Sequence, residues 1–141
     1  MHIEKVSYVD AVGNSVEEEL RFNLTKAEIT EMQYSVKGGL SAMIEQLSAT
    51  DDAAVVVRIV KDIILMAYGE KYTDSKGITR FLKNQDIRDA FMATEAYSVL
   101  FMKFMNDTDA LNNFIVAVMP EDMRAKVAEE KNRLTAATNE K

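Results

Sequence analysis

The chain has 141 residues, 48% of them hydrophobic, with a formal net charge of −6 and no cysteine. That is the size of one domain, residues 1–141, with enough apolar side chain to bury a core. The acidic balance opposes any binding mode that neutralises phosphates, which excludes nucleic acid and anionic membrane surfaces as expected partners, and the missing thiols exclude a disulfide framework and a thiolate metal site and suit a reducing cytoplasm.

The opening stretch, "MHIEKVSYVD", has no basic start followed by an apolar core, and the most apolar run, Val55 to Ala67, is interrupted by Arg58, Lys61 and Asp62. Neither export nor a bilayer span is expected. Residues 2–24 read as a β-hairpin. Val16, Glu18, Leu20, Phe22 and Leu24 alternate with Glu17, Glu19, Arg21 and Asn23, the period of a strand with one apolar side among its faces, and Val6 and Tyr8 supply the matching run. Between them Gly13-Asn14 tolerates the positive φ of a tight turn.

From Thr25 the signals become helical. Thr25 and Glu28 form a capping box ahead of a helix that should stop near Gly38-Gly39, and a short helix over Leu40 to Ser48 follows. Asp51 and Asp52 mark the start of a long run ending at Tyr68-Gly69, expected to be the central buried helix. "EKYTDSKGITRFLKN" carries turn residues and no helical period, so it reads as a surface loop with a short extended piece around Ile78 to Phe81.

A second long helix is predicted over Asp86 to Met105, then one capped by Asp107-Thr108 and running through Val118. Pro120 opens a last, exposed helix over about 120–141, with Asp122–Lys126 and Glu129–Arg133 at ion-pair spacing. The expected fold class is mainly α (α+β), a helical bundle-like body over about 25–119 with an N-terminal β-hairpin and no other substantial sheet.

Chemistry is sparse. The single histidine, His2, reads as a solvent-exposed terminal residue, which removes the usual acid–base partner and most zinc sites. "VKGGL" lacks the Lys-Ser/Thr of a phosphate loop, and "DDAAVVV" and "NDTDALNN" lack calcium-loop spacing and suit helix caps. No catalytic residue, metal or cofactor is expected. The nine methionines are flexible enough for irregular core gaps or for a yielding partner surface.

The predicted helix over Asp86 to Met105 sharpens that choice. Ala90, Ala93, Tyr97, Leu100, Phe101 and Phe104 share one apolar face, the core side. The opposite side mixes Arg88, Met92, Glu95, Val99, Met102 and Lys103, more apolar surface than a solvated face needs. Either a second layer of the fold covers it or a partner does, which makes Met92, Val99, Met102, Arg88 and Lys103 the candidate partner-binding residues.

In order, "FNLTKAEI" after a hairpin, "GGL", "IILMAYGEKY…D…RFLKN" and "FMATEAYSVLFMKFMNDTDALNNFIVAVMP" resemble the tail assembly chaperones of long-tailed bacteriophages and prophages, over about Phe22 to Pro120. The loop at 72–79 is longer than that family's pattern, and the tail after Pro120 is generic. The resemblance implies a non-catalytic protein that coats the tape-measure protein in the host cytoplasm while tail-tube subunits assemble, is then displaced, and is absent from the mature virion. It also implies the tail tube protein and a frameshifted longer form of the chain as further partners, and homo-oligomers as a state. A small acidic virion or regulatory module that binds a host or phage protein shares the composition. Gene context separates the two, since a chaperone precedes a very long coiled-coil-rich reading frame. The hairpin then caps the helical core or offers an edge strand to a copy or a partner.

Overall fold

The computed structural model describes residues 1–35 and 37–124. Strands β1 (His2–Val9) and β2 (Ser15–Phe22) form the expected antiparallel hairpin, with Tyr8 opposite Val16, Val6 opposite Glu18 and His2 opposite Phe22. The even-numbered side chains face the body, where Val6, Leu20 and Phe22 are buried. At the turn the Asp10 carboxylate accepts the N–H groups of Val12 and Asn14 at 3.0 and 2.8 Å, and Gly13 takes φ 89°, the left-handed region open to glycine.

Helix α1 (Lys26–Ser35) starts on the capping box. Thr25 N–H donates to Glu28 Oε1 at 3.0 Å, and Glu28 N–H donates to Thr25 Oγ1 at 3.1 Å. Thr25→Ala should therefore lower stability by about 1 kcal/mol in urea denaturation while Thr25→Ser stays near wild type. Equal losses in both would contradict the capping role. Helix α2 (Gly39–Ala49) follows Gly38 and opens on Gly39, both at positive φ. Helix α3 (Ala53–Ala67) is capped by Asp52, whose Oδ1 accepts from Ala54 N at 2.9 Å. Ile59, Val60, Ile63, Ile64 and Ala67 make its buried stripe, so the burial expected of this helix is confined to its C-terminal part, while Ala53, Ala54 and Val57 are exposed.

The stretch read as a surface loop is a second hairpin, β3 (Tyr68–Thr73) and β4 (Thr79–Leu82). Its turn repeats the first one bond for bond. The Asp74 carboxylate accepts from Lys76 and Ile78 N–H at 2.9 and 3.0 Å, Asp74 N–H donates to Ile78 O, and Gly77 has φ 82°. The strand order is β1-β2-β3-β4, but β2 and β3 meet only at Arg21–Gly69 and Phe22–Tyr68, so two hairpins are joined at their bases. The fold is mainly α with an N-terminal hairpin, as expected; what differs is that the stretch read as a surface loop with a short extended piece folds as a second, small strand pair. A Cβ on Gly69 would lie 2.7 Å from the Phe81 ring and 2.8 Å from Leu82 O, which is why glycine stands at this junction.

The helix expected over Asp86 to Met105 is two helices, α4 (Gln85–Met92) and α5 (Glu95–Asn106), followed by α6 (Thr108–Val118). Thr94 makes the break. Its hydroxyl donates to Phe91 O at 2.7 Å and accepts from Tyr97 N–H at 3.2 Å, ending one helix and capping the next. Asn84 and Asp107 cap α4 and α6 in the same manner. Of the expected core face, Leu100 and Phe104 are buried and Tyr97 and Phe101 half-buried, whereas Ala90 and Ala93 are exposed because the break interrupts the helical phase. Asp122 pairs with Lys26 at 2.6 Å; Lys126, Glu129 and Arg133, and the stretch beyond 124 over which the last helix was expected, lie outside the described residues.

An aromatic cluster joins the hairpins to the helices. Phe22 is fully buried and lies edge-on to Tyr68, Phe91 and Phe114, and Tyr68 stacks on Phe91 at 3.7 Å. Beside it Lys83 leaves β4 and turns its ammonium inward. Nζ donates to Asn23 O at 2.5 Å, to Met66 O at 2.9 Å and to both Glu28 oxygens at 2.9 and 2.8 Å. One cation thus ties together the β2–α1 junction, the cap of α1, the end of α3 and the second hairpin.

Burial works to raise the Glu28 carboxyl, but the hydrogen bonds from Lys83 and Thr25 outweigh it and hold the group below its ordinary value of 4.5. Burial pushes the Lys83 ammonium down, against the pull of Glu28. The native state therefore binds fewer protons at Glu28 than the unfolded chain. The stabilisation is present above about pH 4.5 and is lost as pH falls through the lowered folded value. Thermal unfolding followed from pH 7 to pH 3 should show Glu28→Gln losing less stability on acidification than wild type, and equal acid losses would contradict the pairing.

Candidate partner-binding face

The five residues marked by the sequence do not form one surface. The Thr94 break leaves Arg88 and Met92 on α4 and Val99, Met102 and Lys103 on α5. Arg88 is half-buried and its Nε donates to Leu65 O at 3.2 Å, satisfying a carbonyl in the last turn of α3. Met92 is half-buried at the end of α4. Lys103 reaches Glu4 on β1 at 3.5 Å, a contact that sets α5 under the first hairpin.

Glu4 also accepts from His2 Nε2 at 2.8 Å. Burial tends to raise its carboxyl, but the His2 hydrogen bond and the Lys103 charge leave it below the ordinary range. His2 is not the free terminal residue expected: its ring is partly covered and stands edge-on to Phe114 at 5.6 Å.

What remains open is Val99, 37% exposed, and Met102, 50% exposed. They are one turn apart, and Val99 is four residues from Lys103, so all three share one flank of the helix. The opposite side of α5 is closed by Ala96, Leu100 and Phe104, all buried. A pair of large apolar side chains beside a cation, on a helix whose other side is anchored, can take up an apolar helix face without moving the backbone.

Sequence reasoning missed two features. Tyr72, Ile78 and Leu82 on the second hairpin are 52%, 49% and 43% exposed. The Lys83 tie gives no periodic signal, since its partners lie 17 to 60 residues away. Among the described residues no group of three or more His, Cys, Asp or Glu side chains could hold a metal ion, and no helix is long and apolar enough to cross a membrane.

No curated protein and no solved structure matches the chain. A family model does, and it spans both hairpins, the helical body and the stretch after Pro120. With residues 1–141 matched, the chain belongs to the phage tail assembly chaperone family.

Proposed function

We propose that this chain binds the tape-measure protein in the cytoplasm of the bacterial host, keeps that long apolar chain soluble while the tail tube assembles around it, and leaves before the virion is mature. It acts by binding and not by catalysis. The exposed Val99–Met102 pair on the Lys103 flank of α5 carries the reading, because it offers an apolar contact on a helix fixed from its other side by Leu100 and Phe104. Membership of the family supports a tail component as the partner. The tail tube protein and a frameshifted longer form of the chain are further partners in this reading. Arg88 and Met92 lie on α4, apart from this pair, and Arg88 serves the fold through Leu65 O, whereas Lys103 both contacts Glu4 and borders the pair.

Val99→Lys tests the face. The side chain is exposed, so the substitution should change stability by less than about 0.5 kcal/mol and leave the far-ultraviolet circular dichroism unchanged. Co-purification of the tape-measure protein should nevertheless fall about tenfold, the effect of losing roughly 1.4 kcal/mol of contact. Leu100→Lys is the control, since it places a charge in the core and should unfold the protein. A Val99→Lys variant that stays folded and still captures its partner at the wild-type level would contradict the assignment of this face.

A further inference from the structure

β1 is the outer strand of the sheet and eight residues long, against four for β4 at the other edge. Asp10 N–H donates to Asn14 O at 2.9 Å, which makes these two a hydrogen-bonded pair. Alternation then directs the backbone groups of His2, Glu4, Val6 and Tyr8 at β2 and those of Ile3, Lys5, Ser7 and Val9 outward. The bond from Asn23 N–H to Ala67 O, on the β3 side of β2, has the parity this requires. Among the described residues no backbone group pairs with that outer row. Its side chains include Ile3, 40% exposed, and Val9, 58% exposed. A long unpaired edge of this kind is a template for another strand.

We propose that two copies of this chain pair their β1 strands antiparallel about a two-fold axis at Val6, joining their sheets into one. Neighbouring strands must present matching faces, so odd residues oppose odd residues. An axis at Glu4 would set glutamate against glutamate, and an axis at Lys5 lysine against lysine. An axis at Ser7 would leave Ile3 beyond the end of the opposing strand. The axis at Val6 sets Ile3 against Val9, Lys5 against Ser7 and Glu4 against Tyr8. It opposes no like charges, covers both exposed apolar side chains and forms about eight backbone hydrogen bonds. Such an interface is isologous and closes at two copies. It rests on strand geometry and is independent of the tape-measure reading.

Sedimentation equilibrium on the purified chain should show a concentration-dependent monomer–dimer equilibrium. Ser7→Pro removes an outward N–H and none that faces β2, so it should give a monomer with unchanged circular dichroism. Ile3→Lys and Val9→Glu should each weaken association about tenfold, and their combination should restore it, because only this register sets the new lysine against the new glutamate. The charge exchange decides the matter even where Ser7→Pro fails to fold. A wild-type chain that stays monomeric at the highest concentration, an open-ended polymer, a folded Ser7→Pro that still dimerises, or a double variant no better than the single ones would each overturn the proposal.

Discussion

Lys83→Met should lower stability by about 3 kcal/mol at most, the low end of what breaking a buried ion pair costs, since this pair is partly buried. Methionine keeps the length of the side chain and part of its packing, so the loss isolates the ammonium. Glu28 would keep its Thr25 contact but lose its cation, and Asn23 O and Met66 O would lose a donor in a site where Lys83 is only 10% exposed. The low end applies because the Glu28 side chain is 31% exposed and water reaches it. Amide exchange should quicken first in β3 and β4, because two strand residue pairs and this cation are the ties that join the second hairpin to β2 and α1 among the described residues. A urea midpoint within about 0.5 kcal/mol of wild type would show that the tie is ornamental.

Phe22→Ala should cost about 4 kcal/mol, within the usual range for emptying a buried phenylalanine site. Phe22 is fully buried at the centre of three edge-on contacts, with Phe114 nearest at 5.0 Å. Its neighbours come from β3, α4 and α6, which are held by their own caps and strand pairs, so the cavity cannot collapse without breaking those. Phe22→Leu should lose less than half as much, because leucine refills most of the volume. Equal losses for both in urea denaturation would point to backbone damage in place of a cavity.

The first hairpin, the Thr25–Glu28 box and the Asp52 and Asp107 caps were legible because each is written in neighbouring residues. Val16, Leu20 and Phe22 alternate against one core face, and capping partners sit two or three residues apart. The second hairpin was misread for a definite reason. "DAVGN" and "DSKGI" are the same turn, with Asp accepting two N–H groups and Gly at positive φ, but β3 and β4 are exposed on both faces over most of their length and leave no alternation to read. The D-x-x-G spacing was the available signal. The helix over 86–105 was overextended because Thr94 lies inside a run of good helix formers, where only its double hydrogen bond reveals a cap. At the candidate site the sequence marked Val99 and Met102, which are exposed. It could not show that Arg88 spends its guanidinium on α3 or that Lys103 reaches β1, since both contacts depend on how helices pack and not on their period.

Co-expression of the tape-measure protein with and without this chain tests the central claim most directly, with the tape-measure protein scored in the soluble fraction of the lysate. Expressed alone it should sediment as aggregate, and with the wild-type chain most of it should remain soluble and elute in complex with the chain. With Val99→Lys the soluble share should fall back toward the level seen alone. A tape-measure protein that aggregates equally whether or not the wild-type chain is present would contradict the account.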